Sequence, residues 1–524
     1  MKKRILTLSL ALFSVGVMNF IYGQKTDEIK NWYNGATPGM NTEKAYSSLK
    51  KQQSTTVIVA VIDSGIDIEH KDLQGKIWTN EKEIPNNGID DDKNGYIDDI
   101  HGWNFLGAPN GDNQDYTRLE KTRICAELHQ KFNGKSESEI AAADKADYAT
   151  YKELYKAIET ERNGNIQALE QYTQLGEMFP MLKAKLIEKL GPNFTEDDVN
   201  AWKVTTPEDM QLKQLGTYIA NGQLSEESIK EGVDHFNGSI NYQLNMEYND
   251  RQFIGDNPDD FNDIHYGNND VEGPEALHGT HVGGIIGAVR HNELGGDGVA
   301  ENVKLMSLRA VPNGDEQDKD IALAIRYAAD NGASVINMSF GKAYSKHPKE
   351  VYEAMLYAES KGVLLVHAAG NDGENLDEHP NFPTNEYSFQ TKPLDMYICI
   401  GASTRDKKKL AANFSNYSSR QVNIFAPGFE IYNTIPQSDY KILQGTSMAA
   451  PMVSGVAALL KSYFPSLTMK EIKDIMLASA KQYKGTMIPS PGTDTPVDFG
   501  KLSTTGGVID IAAAVKMCKA KVKK

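Results

Sequence analysis

TTVIVAVI, residues 55–62, is a β-branched, apolar run of the kind that forms a strand buried on both faces. It runs into Asp63, Ser64 and Gly65, a carboxylate followed by a turn. Similar runs recur further on, at 305–311, 334–340, 363–368, 396–401 and 422–425. Helical patterns stand between several of them: DIALAIRYAADN (320–331) is stopped by Gly332, and 348–361 by Gly362. Strands alternating with helices predict an α/β fold, three layers deep (α/β/α), around a mostly parallel central sheet. In such sheets substrates gather at the carboxyl ends of the strands.

The pattern breaks between residues 111 and 275. Charged stretches of helical periodicity, such as 144–162 and 166–189, replace the β-branched runs. A mainly helical insertion over 111–275 is therefore expected, large enough to fold as a unit. It would split the α/β domain into 55–110 and 276–515. Its tail, 248–269, is rich in Asp, Asn and Gly and reads as loop. Residues 24–54 form a lead segment, and 516–524 (KMCKAKVKK) a short basic tail, read as a solvated helix end.

The bulk properties narrow the class. The chain has 524 residues, 40% hydrophobic and 24% charged, an ordinary globular composition. A formal net charge of -16 argues against a nucleic-acid partner, since phosphate neutralisation needs clustered Lys and Arg. Lys2, Lys3 and Arg4 precede an apolar run over 5–21, and Gly23 offers a cleavage point before Gln24. This predicts a signal peptide over 1–23. The alternative is an uncleaved anchor, because the run approaches spanning length. No second long apolar run follows, so no stable membrane insertion is expected after signal removal, and the mature chain is expected to be secreted or periplasmic. Cys125, Cys399 and Cys518 are too few for a disulfide framework.

Three segments place a reactive side chain at the end of an element. Asp63 ends the first buried strand; alone it reads equally as a turn residue. His278 opens HGTHVGG (278–284) and a following apolar helix. His278 and His281 have an alternative reading as metal ligands, but the carboxylate spacing of a zinc-protease helix is missing. Ser447, in GTSMAAP (445–451), sits near the start of a long apolar helix, where free N–H groups and the helix dipole favour negative charge. Taken alone it reads as a plain N-cap. Pro451 is expected close to that helix start.

In chain order the three give Asp, His, Ser. IDSGI (62–66), HGTHVGG and GTSMAAP together resemble the signature segments of the subtilisin family of serine peptidases, for which that order is known. The likeness covers 55–107 and 277–480. It implies Asp63, His278 and Ser447 as a catalytic triad that hydrolyses peptide bonds through an acyl-enzyme, with protein or peptide substrates and a structural role for His281. VHAAGN (366–371) resembles the family's oxyanion segment, which implies Asn371 as a donor beside the Ser447 N–H. Met338, Ser339, Phe340 and Gly341 resemble the strand edge that pairs with an extended peptide. Residues 311–318 resemble the opposite wall, where Asp315, Glu316 and Asp318 would favour basic residues upstream of the cut. His367 is expected to be a buried, hydrogen-bonded core residue. The competing function is a catalytically silent peptide-binding protein on the same fold. An esterase would show a Gly-x-Ser-x-Gly elbow, absent around Ser447.

DDDKNGYIDD (90–99) spaces oxygen-bearing side chains two apart around a glycine. Asp90, Asp92, Asn94, Asp98 and the Tyr96 carbonyl match the first part of an EF-hand-like loop and predict a structural calcium ion. The closing Glu is missing, because His101 stands there; the alternative is a solvated acidic turn. Two features depart from the family. Asp63 and His278 lie 215 positions apart, where the family has a few dozen, so the inserted helices must emerge near the cleft. The lead segment is also shorter than the family's usual folding pro-domain.

Overall fold

The computed structural model describes residues 29–390, 392–493 and 495–523; the expected signal peptide lies outside them. The strands are β1 (Val57–Asp63), β2 (Gly102–Asn104), β3 (Val303–Arg309), β4 (Val335–Met338), β5 (Leu364–Ala368), β6 (Tyr397–Ser403) and β7 (Ile424–Pro427). They are followed by the hairpin β8 (Ile431–Ile435) and β9 (Asp439–Leu443), then β10 (Lys481–Gln482), the hairpin β11 (Met487–Pro489) and β12 (Pro496–Asp498), and β13 (Gly507–Val508). Nine of these build one sheet in the order β10-β13-β7-β6-β5-β4-β1-β3-β2. Every neighbouring pair is parallel except β10 and β13.

The two faces of this sheet bury different helices. Ile62, Ile336, Met338 and Leu365 join a core with Ile321, Ile325 and Met355 from the helices Asp318–Asp330 and Pro348–Ser360. Asn337, between Ile336 and Met338, points the other way and accepts a hydrogen bond from Ser454 in the helix Thr446–Tyr463 (2.8 Å). That alternation is the pleat of a strand, and it produces the expected α/β/α layering. Each buried aliphatic side chain contributes about 1.5–3 kcal/mol. The helix Leu277–Gly287 packs with Thr446–Tyr463. β1, β4 and β5 thus present their carboxyl ends, Asp63, Met338 and Ala368, side by side.

Residues 111–275 are mainly helical, with helices Glu120–Phe132, Lys145–Leu190, Glu196–Ala201, Pro207–Ala220 and Glu226–Gly238. Asn163, Gly164 and Asn165 do not split the two helical patterns read around them; both lie in the single helix Lys145–Leu190. The cost of such residues, up to about 1 kcal/mol each, is small against a helix of that length. Thr195 caps Glu196–Ala201 through a reciprocal pair with Asp198, and Thr206 caps Pro207–Ala220 with Pro207 at its first turn. Within this region only Tyr172–Gly232 stands as a separate compact unit. The flanking parts cluster with the sheet domain. There, Cys125, Leu154, Ile158 and Leu244 form a small satellite core.

The lead segment contributes the helix Thr42–Leu49, packed on the C-terminal helix Ile511–Lys521. The basic tail is thus helical as far as Lys521, with Cys518 fully buried. All three cysteines are buried and unpaired. Among the described residues no helix is long and apolar enough to cross a membrane.

Candidate active site

Asp63 is the last residue of β1 and His278 stands in the first turn of Leu277–Gly287. Their approach depends on glycines. A Cβ at Gly279 would lie 2.1 Å from the Gly65 carbonyl oxygen and 3.2 Å from Asp63 Cβ. Gly65 itself adopts φ +118, where side chains are strained. The His278 Nδ1 donates to Asp63 Oδ1 at 2.7 Å, and that oxygen also accepts the Ser64 N–H at 2.8 Å. The Asp63 side chain is 2% exposed and that of His278 33%, so the pair is anchored at the carboxylate and open at the imidazole. Burial works against charge on His278, but the Asp63 carboxylate outweighs it and raises the imidazole pKa above its ordinary value.

Ser447 is the second residue of Thr446–Tyr463, in the turn whose N–H groups have no acceptor inside the helix. Pro451 lies in the second turn of that helix, further in than expected. Lacking an N–H, it leaves the Ser447 carbonyl unpaired within the helix, and the Ser339 hydroxyl donates to that carbonyl instead (2.8 Å). The Ser447 hydroxyl returns the contact, donating to the Ser339 carbonyl (3.1 Å). Among the described residues no hydrogen bond joins Ser447 to His278. The nucleophile candidate is therefore pinned to the end of β4, a link the sequence did not reveal.

Asn371 follows β5. Its Oδ1 accepts the Thr446 N–H (2.8 Å) and the Thr446 hydroxyl (3.0 Å), which fixes the amide so that Nδ2 is the free end. The position of a Cβ built on Gly445 lies 3.5 Å from both Asn371 Nδ2 and the Ser447 nitrogen. Two N–H donors therefore converge on one small space beside the helix N-terminus. That arrangement suits a developing oxyanion.

The neighbouring segments are less open than the sequence suggested. Met338 is fully buried, and the Phe340 carbonyl accepts from His367 Nε2 (2.8 Å). Gly341 lies against Asn381: a Cβ there would come within 2.4 Å of the Asn381 side-chain oxygen. Burial holds His367 down to about 4 and His281 down to about 3. His281 Nε2 meets the carbonyls of Ile431 and Lys441, both at 3.1 Å, so it donates as a neutral, structural imidazole. The expectation that Asp315, Glu316 and Asp318 recruit basic substrate residues is corrected here. Asp318 Oδ1 pairs with Lys342 (2.9 Å), and Asp315 Oδ2 accepts the Glu120 N–H (2.7 Å). Burial pushes the Glu316 carboxyl up towards its neutral form. These acids look inward, and their partners come from Glu120–Phe132 and from the segment after Gly341, where Lys342, the Ser345 hydroxyl (3.0 Å) and the His347 N–H (2.7 Å) all meet Asp318. Lys342 also donates to Glu120 (2.7 Å) and to the Glu316 carbonyl (2.7 Å), and Arg123 donates to the carbonyls of Asp315 (2.9 Å) and Glu316 (3.0 Å).

Of the five calcium-loop positions, Asp90 and Asp92 converge, and Glu83 joins them. Asp98 turns both carboxylate oxygens to the N–H groups of Asn87 (3.1 Å) and Gly88 (2.9 Å). Asn94 Oδ1 accepts the Tyr96 N–H (2.8 Å), and the Tyr96 ring packs on Trp103 and Tyr327.

The Subtilase family pattern matches residues 54–496. A thermophilic serine proteinase of Bacillus sp. (strain AK1) is 32% identical over 62% of this chain and 76% of its own length. Thermitase of Thermoactinomyces vulgaris is 38% identical over 35% of this chain and 61% of its own. A protease from Pseudoalteromonas arctica PAMC 21717 aligns in space with 30% identity and a TM-score of 0.39, over 49% of this chain and 80% of that one.

Proposed function

The chain belongs to the subtilase family and is a serine-type endopeptidase, and from that premise we propose that Asp63, His278 and Ser447 are its catalytic triad. The observation that carries the assignment is the 2.7 Å bond from His278 Nδ1 to the buried Asp63, at the strand ends where Ser447 also stands. With its proton on Nδ1, the imidazole keeps Nε2 as an acceptor for the serine proton. Turning about its Cα–Cβ bond, the Ser447 hydroxyl exchanges the Ser339 carbonyl for that nitrogen; such bonds tighten when substrate fills the cleft.

Attack of Ser447 Oγ on the scissile carbonyl then moves the proton to His278. Asp63 stabilises the imidazolium, while Asn371 Nδ2 and the Ser447 N–H receive the oxyanion. His278 protonates the leaving amine, and water resolves the acyl-enzyme by the same route. Of residues 338–341, Ser339, Phe340 and Gly341 are proposed as the edge against which an extended peptide lies, while Met338, paired on both sides in β4 and fully buried, lies behind it. The basic and apolar start of the chain supports export by a signal peptide over 1–23.

Casein hydrolysis by the purified protein is expected to disappear in Ser447→Ala and in His278→Ala, with the fold retained by circular dichroism. Undiminished hydrolysis in both would remove the triad assignment. Amino-terminal sequencing of the exported chain is expected to begin at Gln24; a mature chain still carrying residues 1–23 would overturn the signal.

A further inference from the structure

The wall of the cleft opposite 339–341, residues 311–318, already has partners from the chain itself. The insertion lays its own backbone along that wall: the Thr117 N–H donates to the Asn313 carbonyl (3.0 Å), and the Asn313 N–H to the Asp115 carbonyl (2.8 Å). Further on, the Asp315 carbonyl accepts the Thr117 hydroxyl (3.0 Å) and Arg123 (2.9 Å), and the Glu316 carbonyl accepts Arg123 (3.0 Å) and Lys342 (2.7 Å). A carbonyl oxygen has two lone pairs. Both are taken at each of these residues, so neither carbonyl is left to pair with the backbone of an extended peptide.

Lys342 does more than fill one of those bonds. It follows Gly341 on the side of the peptide edge, and its main chain is fixed there by a reciprocal pair of bonds with Phe382 (3.2 and 2.9 Å). Its ammonium nevertheless meets the Glu316 carbonyl and the Asp318 carboxylate (2.9 Å), both of which belong to the opposite wall. The side chain therefore crosses from one wall to the other. Glu120, at the start of the inserted helix Glu120–Phe132, holds the ammonium at 2.7 Å, and Arg123 one turn on pairs with Glu120 in its turn. Lys342 is 4% exposed and Arg123 6%, so the helix covers the crossing. Breaking such a tie strands buried charge, which keeps it shut.

The place of the crossing sets a length. Ser339 stands level with the nucleophile, exchanging hydrogen bonds with Ser447 in both directions. Phe340 and Gly341 continue the edge at about 3.3 Å per residue, so Lys342 lies about 10 Å upstream of the cut. We propose that Lys342, held by Glu120 and Arg123 of the insertion, ends the groove on its upstream side, so that three residues ahead of the cut are bound and the fourth is turned out to solvent. This rests on the reading of 339–341 as the peptide edge. It gives the flank of the insertion a part in choosing substrates: the enzyme reads a short upstream stretch and requires the chain beyond it to be flexible enough to leave the groove.

The test measures kcat/KM of the full parent chain on capped peptide anilides with one to six residues ahead of the cut. The value is expected to rise with each residue to the third, then to change by less than about twofold from the third to the sixth, below the worth of one hydrogen bond. A fourth residue that paired with the groove would add about tenfold, and a gain of that size in the parent would overturn the proposal. Lys342→Ala returns a lone pair to the Glu316 carbonyl and empties the crossing. The fourth residue should then raise kcat/KM by about fivefold or more; a folded Lys342→Ala that keeps the parent's plateau would also overturn it. A parent indifferent to the second and third residues would instead contradict the lie of the peptide along 339–341, and the proposal would fall with that reading. If Lys342→Ala fails to fold, the parent's length series decides.

Discussion

His278 sets the pH behaviour of the proposed mechanism. Its pKa is raised by Asp63 against the pull of burial, and only the neutral imidazole can take the Ser447 proton. Activity should therefore fall as pH drops through that raised pKa, which places the acid limb of kcat/KM above the ordinary histidine value of about 6.5. Asp63→Asn removes the negative charge that raises the pKa and leaves burial, which lowers it. The acid limb should then move to lower pH, with kcat down about 10⁴-fold; an unmoved limb would contradict the pairing. Asn371→Ala should lower kcat by about 100- to 1000-fold with little change in KM, the cost known for losing one such donor in a subtilisin. Asp63, His278, Ser447 and Asn371 are legible in the sequence because each sits in a short motif at an element end. The Ser339–Ser447 exchange is not. It arises because Pro451 frees a carbonyl that only the fold brings to β4.

At the level of elements, the helix Glu120–Phe132 is stitched to the segment after β4 and to the loop 311–318 by buried ions. Burial pushes the Glu120 carboxyl up, but Arg123 and Lys342 outweigh it and hold it well below the usual range. Lys342, 4% exposed, pairs with both Glu120 and Asp318. Lys342→Met strands those carboxylates, at a cost of about 3–5 kcal/mol. A lowered urea midpoint, measured in the Ser447→Ala background, is the expected result; a midpoint within error of the parent would show the network to be energetically idle. β1 and β3 to β7 were readable from β-branched runs, and the helices after β3 and β4 from periodicity and glycine stops; β2 and the short strands β8 to β13 were not. The burial of Asp315, Glu316 and Asp318 was not readable, because an acidic loop looks the same in sequence whether its partners are water or a lysine far along the chain.

Over the whole molecule, the insertion divides. Its flanks cluster with the sheet domain, and Tyr172–Gly232 forms a compact unit of its own whose two ends meet, a Cβ at Gly232 falling 2.3 Å from the Tyr172 ring. Closing so short a gap costs little chain entropy. Replacing 173–231 with a short Gly/Ser linker should leave casein hydrolysis within about threefold of the parent, a change of under about 1 kcal/mol in transition-state stabilisation. Abolished activity in a folded variant would make that unit part of the catalytic apparatus. The most direct test of the triad is to react the full chain with a serine-directed fluorophosphonate and map the adduct by peptide mass spectrometry. The account predicts a single adduct on Ser447, formed quickly in the parent, much more slowly in His278→Ala, and absent in Ser447→Ala. An adduct on any other serine, or none in a folded parent that cleaves casein, would contradict it.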